Sequence, residues 1–357
     1  MRGFSPLKNI HSLYRRVNLE QILRVGIIGA GAIASTHAEA IRHIPGLKLV
    51  GAARRNMDKC REFARQYRCK PYQSWEDMLE DGLDIAVVAL PHYLHFEAAM
   101  AAIEKGCHVM LEKPAAMDLD QCRAITAAAQ KAGRKVMVAD IAYHLPGVIK
   151  AREIISSGRM GKFIMGSMIN YRFYFAKDRP SWFLEKQKAG GGMLFNLGVH
   201  RMAVVRSVVP EEEMVVKASV GFFRQGCEVE GNGMIFIGYP DGTAVVLEEC
   251  GYLEAPEELN KGMHFTFENG ILGDVAGRLW ISDKKGNVER PKLSPSLPGG
   301  VYQPLYEEML SAIREDRDPW PGIVQGAKDV RVILAAYESA RTGQQVELRG
   351  PKWEISL

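Results

Sequence analysis

The sequence of 357 residues lacks the long apolar runs that a membrane-spanning protein needs. Its apolar stretches fall well short of the roughly 18 to 20 residues that cross a bilayer, so a soluble protein without membrane partners is expected. It also lacks internal repeats and low-complexity linkers, which excludes solenoid and fibrous classes. The length exceeds that of one ordinary domain and predicts two.

Cysteine is present but not in any binding or disulfide pattern. None of the six cysteines forms a C-x-x-C pair or a dense framework. Free thiols, buried or partly buried in a reducing cytoplasm, are therefore predicted. His92 and His95 are three residues apart but have no third ligand nearby, so no metal site is expected.

Positive charge is concentrated at the N-terminus. Residues 1–17 hold four basic residues and no acidic ones, and without them the 46 basic residues become 42, equal to the 42 acidic residues. A neutral body with a basic tail argues against nucleic-acid binding. The tail has no secretory core; we expect residues 1–22 to be a disordered extension, or a start upstream of the true initiation near Val17.

The stretch RVGIIGAGAIA, from Arg24 to Ala34, has the pattern of a strand, a glycine turn and a helix start. Gly29 would permit the tight turn, Gly31 would let the backbone approach a pyrophosphate, and Ala34 would let the helix pack on the strand. The pyrophosphate would sit on the free amides of the helix N-terminus, near Ala32 and Ile33. The alternative is a plain strand-to-helix turn.

The next apolar run, 47–53, ends in Arg54 and Arg55 with no acidic residue until Asp58. An acid at this place would bind the adenosine ribose hydroxyls, whereas guanidinium groups would bind a 2′-phosphate. The pair therefore favours NADP over NAD as the cofactor. A solvated arginine pair at a strand end is the alternative.

Two further strand exits carry polar residues. Leu90, Pro91, His92 and His95 follow a purely aliphatic strand and are predicted to lie beside the nicotinamide or its ribose, although His95 could instead bond local backbone. At the next exit come Glu112 and Lys113, for which cofactor contact and, for the lysine, acid/base chemistry are predicted. An ordinary solvated strand exit is the alternative reading.

Alternation of strands and helices over residues 24–139 predicts an α/β fold with a doubly wound parallel sheet, and Ser74 and Asp118 are predicted to begin two of its helices. We assign residues 23–145 to this dinucleotide-binding domain and 146–357 to a substrate and oligomerisation domain. Several alternating segments between Met214 and Trp280 predict that the second domain contains a mainly antiparallel sheet.

The second half also offers candidate substrate ligands. A glycine triplet, 190–192, would permit close backbone approach to the cofactor. Asn196 and His200 follow it four residues apart, so they are predicted to lie on one helix face and to converge on a single point. Trp182, with Arg179 before it, suits stacking and hydrogen bonding to a sugar, and Tyr143 and Arg172 are further candidates. Most aromatic residues near Arg172 are expected simply to cover a sheet.

Four motifs together resemble the Gfo/Idh/MocA family of NAD(P)-dependent sugar and polyol oxidoreductases. They are GAGAIA at 29–34, LPHYLH at 90–95, EKP at 112–114 and GGGMLFNLGVH at 190–200. The resemblance implies a Rossmann domain followed by an α/β domain whose open, mostly antiparallel sheet forms a homodimer or homotetramer. It also implies that Lys113 contacts the reacting hydroxyl and the nicotinamide ribose, and that His200 lies in the site.

The chain departs from this family at one position. Members commonly have an aspartate where this sequence has Asn196, and another acid shortly after the histidine, where HRMA has none. An amide can orient a hydroxyl but cannot take its proton, so proton transfer falls to Lys113 or His200. Arg54, where the family often has an acid or a small hydroxyl residue, supports NADP.

The sequence thus predicts an oxidoreductase that moves hydride between NADP, or NAD, and a secondary alcohol or ketone of a sugar or cyclitol. Lys113 would polarise or deprotonate the hydroxyl, His200 would assist, and Asn196 would position it. The alternatives are a cofactor-binding sensor that has lost the chemistry, which Asn196 favours, and a dihydrodiol-type dehydrogenase.

Overall fold

The computed structural model describes residues 22–256, 261–275 and 277–355. Apart from Ile22, the predicted N-terminal extension lies outside these ranges. The first sheet has six parallel strands in the order β3-β2-β1-β4-β5-β6. They are β1 (Leu23–Ile28), β2 (Leu47–Ala53), β3 (Lys70–Tyr72), β4 (Ile85–Val88), β5 (His108–Leu111) and β6 (Val136–Val138).

Helices connect these strands, as the alternation predicts. They are α1 (Ala32–Arg42), α2 (Met57–Tyr67), α3 (Trp75–Glu80), α4 (His95–Glu104) and α5 (Leu119–Ala132). Two begin at predicted caps: the side chain of Ser74 accepts from the amide of Asp77, and that of Asp118 accepts from the amide of Gln121. The doubly wound parallel domain is therefore confirmed.

The second sheet has nine strands in the order β14-β13-β12-β11-β7-β10-β9-β8-β15, and only the β7–β10 pair is parallel. The predicted mostly antiparallel sheet is confirmed. Its strands are β7 (Phe163–Tyr171), β8 (Val215–Gly221), β9 (Asn232–Gly238), β10 (Ala244–Cys250), β11 (Lys261–Phe267), β12 (Gly270–Val275), β13 (Arg278–Asp283), β14 (Val288–Glu289) and β15 (Val346–Glu347).

The remaining helices are α6 (Pro146–Ser156), α7 (Lys186–Ala189), α8 (Val199–Val208), α9 (Gln303–Arg314) and α10 (Ile323–Thr342). Helices α6, α8 and α10 share a hydrophobic core with the second sheet. Tyr306 and Met309 of α9 lie instead in the core that contains β1 and α1, and Ala327 of α10 lies in the core beside β6. Helix α10 therefore packs into the cores of both sheets.

Strand β7 is shorter than the alternation of residues 162–175 predicts. It ends at Tyr171, although the amides of Arg172 and Tyr174 still donate to Cys250 and Gly251. Tyr174 and Phe175 then turn into a separate buried cluster with Ala189 and Met193. Packing against this cluster, and not the alternation of the sequence, decides where the strand stops.

The structure bears on the predicted state of the cysteines and on the apolarity of the helices. All six cysteines are free, and each is buried or partly buried, as predicted. No helix among the described residues is both long and apolar enough to pass through a bilayer.

Candidate active site

The predicted glycine turn forms at the carboxyl end of β1. Gly29 has φ +102°, and a Cβ atom there would lie 2.3 Å from the carbonyl oxygen of Ala89. Only glycine fits this conformation and this approach between the exits of β1 and β4. Ala34, in the first turn of α1, is completely buried, which agrees with its predicted role in packing the helix on the strand.

Gly31 has a different reason to be glycine. It is the N-cap of α1 in extended conformation, and a Cβ atom there would meet no protein atom within 4 Å. No side chain caps the helix, and Ala32 and Ile33 at its start are exposed. The first turn therefore presents free amides and a positive dipole end to an open cradle, which fits the pyrophosphate of a dinucleotide.

Arg54 lies over this turn from the end of β2. Its Nη1 atom donates to the carbonyl oxygen of Ala30 at 2.6 Å, so one edge of the guanidinium is anchored beside the helix start. Arg55 follows it and is exposed. This brings a fixed positive charge to the place where an adenosine ribose would lie, next to the cradle.

Glu112, at the exit of β5, binds other side chains of the protein. Its carboxylate is buried, and Oε1 accepts from the hydroxyl of Tyr302 at 2.7 Å and lies 3.0 Å from Nε2 of His37. Burial raises the pKa of Glu112, but His37, Lys113 and Tyr302 outweigh it, and the net shift is downward. The carboxylate is thus an anchor between α1, β5 and the segment before α9.

Lys113, the next residue, points to the second domain. Its Nζ atom donates to the side-chain oxygen of Asn196 at 2.8 Å and to the backbone oxygen of Asn196 at 3.0 Å. Burial lowers the pKa of Lys113, and the charges of Arg179 and Arg172 act in the same direction, against Glu112 and Asp140. The ammonium therefore loses its proton more readily than that of an exposed lysine.

His200 binds a different partner from Asn196, although the two were predicted to converge. Its Nδ1 atom lies 2.6 Å from Oδ1 of Asp140. The helix begins with a π turn over Leu194–Gly198, and α8 follows from Val199. The two side chains thus reach separate groups at the edge of the first sheet, Lys113 and Asp140.

Asp140 was not predicted from the sequence to be a site residue. It is 2% exposed and follows β6 by two residues, just as Lys113 follows β5 by two residues. Leu111 and Val138, the last residues of these strands, are paired in register, so the parallel sheet brings the two exits side by side. The reasoning that selected Lys113, a charged residue after a buried strand, would also have selected Asp140.

The two histidines at the exit of β4 have protein partners. The Nδ1 atom of His92 lies 2.7 Å from the backbone oxygen of Ala189, and its ring packs edge-on against Trp182. Both ring nitrogens of His95 lie 2.9 Å from backbone oxygens, of Pro114 and Leu90. His95 therefore binds the local backbone, as the alternative prediction proposed. Leu90 and Pro91 remain partly exposed at this edge.

The glycine triplet makes room for protein and not for the cofactor. A Cβ atom at Gly191 would lie 2.0 Å from the hydroxyl of Tyr337, and one at Gly192 would lie 2.0 Å from the backbone oxygen of Glu230. The Glu230 carboxylate also accepts from the amides of Gly192 and Leu194. The close approach predicted for a dinucleotide is thus taken by a buried glutamate that supports the turn before Asn196.

The residues predicted to bind a sugar differ in their exposure and in their partners. Trp182 is half-buried and stacks on Phe183, and Arg179 lies over the ring of Tyr174 with its guanidinium carbon 4.1 Å from the ring centre. Arg172 is exposed. Tyr143 lies elsewhere: its ring is 1% exposed in the core, and its hydroxyl donates to Asp329 at 3.0 Å.

Three family models match the chain in sequence order. "Oxidoreductase family, NAD-binding Rossmann fold" covers residues 23–140, "GFO/IDH/MocA C-terminal domain" covers 148–273, and "Oxidoreductase family, C-terminal alpha/beta domain" covers 273–348. The chain belongs to the Gfo/Idh/MocA oxidoreductase family. The resemblance drawn from its four motifs is therefore confirmed.

Two curated members of this family match nearly the whole chain. D-glucoside 3-dehydrogenase of Escherichia coli (strain K12) is 31% identical over 354 residues, which cover 91% of this chain and 97% of that protein. 1,5-anhydro-D-fructose reductase of Ensifer adhaerens is 27% identical over 340 residues, covering 91% of this chain and 98% of that protein.

A solved structure has the same fold. Levoglucosan dehydrogenase in complex with NADH and levoglucosan superposes with a TM-score of 0.84 at 21% identity, over 92% of this chain and 100% of that one. The two chains therefore share the fold of both domains.

Proposed function

We propose that this chain is an NADP-preferring dehydrogenase or reductase that acts on a secondary alcohol, or the corresponding ketone, of a sugar or cyclitol. One observation carries the proposal. A partly buried lysine, Lys113, lies at the carboxyl edge of a dinucleotide-type sheet, and Asn196 of the second domain holds its ammonium. The reacting hydroxyl would bind there, between the two domains.

The proposed chemistry divides between cofactor and protein. When bound, the nicotinamide exchanges a hydride with the carbinol carbon. The chain's own groups act on the substrate oxygen. Two N–H groups of the Lys113 ammonium bind Asn196, and the third would donate a hydrogen bond to the substrate oxygen and polarise it. His200 lies near enough that Lys113 lowers its pKa, and would assist.

The cofactor preference depends on Arg54 and Arg55. With Nη1 bound to Ala30, the rest of the Arg54 guanidinium would be available to a 2′-phosphate, and Arg55 adds a second charge. No acidic residue that would repel the phosphate follows this strand before Asp58 in the sequence.

The substrate class draws on the relatives and on the second domain. Both curated relatives described above are named for reactions on sugar derivatives. Trp182 offers a partly exposed aromatic ring, and Arg172 and Arg179 place positive charge near Lys113. A compact polyhydroxylated ring would suit these groups, with Asn196 and His200 bonding its hydroxyls.

We further propose that the outer face of the second sheet forms a homodimer or homotetramer. Met165 on β7 and Met234 and Phe236 on β9 are 58%, 53% and 42% exposed on this face, on the two strands that flank β10. An apolar surface of this kind on a broad sheet is typical of an interface. Light scattering of the protein and of Phe236→Lys would test it, and a monomeric parent protein would contradict it.

The test of the activity is a spectrophotometric screen. The purified protein would be supplied with NAD or NADP and a panel of monosaccharides, inositols and a trans-dihydrodiol, and reduced nicotinamide would be followed. We expect turnover with a sugar or inositol and faster turnover with NADP. In Lys113→Ala, turnover should fall by about a hundred- to ten-thousandfold while cofactor affinity stays nearly unchanged. Cofactor binding without turnover on the panel would favour the sensor alternative.

A further inference from the structure

Asp140 and His200 form a hydrogen-bonded pair between the first and the second domain. The Asp140 carboxylate is 2% exposed, and its Oδ1 atom accepts from the amide of Ala142 at 2.9 Å and lies 2.6 Å from Nδ1 of His200. The other ring nitrogen, Nε2, has no hydrogen-bond partner among the described residues, and the His200 side chain keeps 17% of its surface exposed.

This contact fixes the tautomer of the imidazole. A carboxylate can only accept, so Nδ1 must carry the proton in the bond to Asp140, and neutral His200 then has its lone pair on Nε2. Burial lowers the pKa of His200, with Lys113 and Arg201 acting in the same direction against Asp140, so the ring is neutral near pH 7. A neutral imidazole with a free Nε2 is a proton acceptor.

Lys113 and Asn196 are arranged for the opposite task. Both oxygen atoms of Asn196 accept from the ammonium, and an amide cannot take a proton. As an ammonium, Lys113 can donate to the substrate oxygen but cannot accept its proton. Of Lys113, Asn196 and His200, only the neutral imidazole can therefore take a proton, and it does so at Nε2.

We propose that Asp140 is a positioning residue that holds His200 in the Nδ1-protonated tautomer, so that Nε2 receives the hydroxyl proton while Lys113 donates a hydrogen bond to the same oxygen. This inference rests on the proposed function. In oxidation, the O–H bond would break towards Nε2 as the carbinol carbon gives up its hydride to a bound nicotinamide and the C=O bond forms; the proton would later pass from the imidazolium to water. Asp140 thus supplies from the end of β6 the carboxylate that position 196 lacks.

The first test needs no turnover. In protein labelled with ¹⁵N-histidine, the two ring nitrogens of His200 can be distinguished by NMR and assigned by their loss in His200→Gln. We expect the Nδ1–H tautomer in the parent protein and a mixture of tautomers in Asp140→Asn. An Nε2–H tautomer in the parent would overturn the inference even if the enzyme proved active.

The second test uses the pH profile of turnover with the substrate found in the screen. In Asp140→Asn, kcat should fall about ten- to a hundredfold. The acid limb of the profile should move to lower pH, because the variant loses a carboxylate that raises the pKa of His200. In a His200→Gln background the same change should cost little more, because the two residues act as one unit.

A matched control separates this role from helix capping. Asp118 also accepts a backbone amide at a helix start, but it is exposed and remote from the histidine. Asp118→Asn should leave the pH profile and the His200 tautomer unchanged. If Asp140→Asn loses stability without moving the acid limb, or adds its full loss to that of His200→Gln, Asp140 is merely structural and the inference fails. If the screen finds no substrate, the tautomer measurement still decides the structural claim.

Discussion

The ammonium of Lys113 lies between two oxygen atoms of one residue, 2.8 Å from Oδ1 and 3.0 Å from the backbone oxygen of Asn196. Because lysine can only donate while it is charged, the amide must present its oxygen to Nζ, which leaves its NH₂ group for another partner. An amide adds no negative charge to the pocket. The pKa of Lys113 is therefore governed by burial, with partial compensation from Glu112 and Asp140.

Replacing Asn196 by aspartate should change the alkaline side of the pH profile. A carboxylate beside Nζ stabilises the ammonium and raises the pKa of Lys113, so activity that depends on the ammonium should persist to higher pH. Asn196→Ala, which removes the acceptor without adding charge, should not extend the profile. Turnover measured from pH 6 to about 11 checks both variants, and an alkaline limb that Asn196→Asp leaves in place would contradict this role for the ammonium.

Arg54 and Arg55 should distinguish the two cofactors. Each hydrogen bond between a guanidinium and a phosphate contributes about 1.5–3 kcal/mol, so Arg54→Ala should weaken NADP binding by about ten- to a hundredfold. NAD has no 2′-phosphate, and its affinity should hardly change. Arg61, an exposed arginine of α2, provides the control in Arg61→Ala. Calorimetric titration with both dinucleotides measures the effect. Equal losses of affinity for NAD and NADP would show that Arg54 supports the turn and does not bind the 2′-phosphate.

Glu249 should make the protein less stable as the pH rises. It is 2% exposed on β10, and burial raises its pKa to about 7, although Arg201 and Asn170 oppose the shift. A carboxyl group whose pKa is higher in the folded than in the unfolded state stabilises the fold at low pH, and this contribution disappears between about pH 4 and pH 7. Glu249→Gln should remove that loss.

The variant is therefore expected to match the parent near pH 4 and to exceed it at pH 8, by at most about 3 kcal/mol. Thermal unfolding at the two pH values provides the measurement. Glu248→Gln, at the neighbouring position on the opposite face of β10, is the control. A Glu249→Gln protein that is less stable than its parent at pH 8 would indicate that the ion pair with Arg201, 3.6 Å away, outweighs the cost of burial.

The local elements of the first domain could be predicted because chain-local signals determine them. Gly29 and Ala34 mark the turn, Ser74 and Asp118 begin their helices, and aliphatic runs form the buried strands. The order of the second sheet could not be predicted in this way. Among the described strands, the only parallel contact of this sheet joins β7 to β10, which are more than seventy residues apart, and alternation does not specify such a partner.

The site was predictable where one strand exit or one helix face carried the information, as for Lys113, Asn196 and His200. It was not predictable where partners come from distant segments. Glu112 is occupied by His37 and Tyr302, and neither the sequence near 112 nor any spacing indicates those residues. The hydroxyl of Tyr143 has a similar distant partner in Asp329, which removes it from the cleft.

Gly31 offers the cleanest separation of cofactor binding from folding. Its backbone is extended and a Cβ atom there touches no protein atom, so Gly31→Ala should leave the unfolding temperature unchanged or slightly raised. The added methyl would project into the cradle at the start of α1 and should weaken dinucleotide binding at least about tenfold, because the backbone can no longer approach the pyrophosphate. Gly147→Ala, at the start of α6, is the matched control, since its Cβ atom would meet only a side-chain oxygen of Asp274 at 3.5 Å. Fluorescence titration with NADPH and thermal unfolding should separate the two variants, and unimpaired NADPH binding by Gly31→Ala would place the pyrophosphate elsewhere.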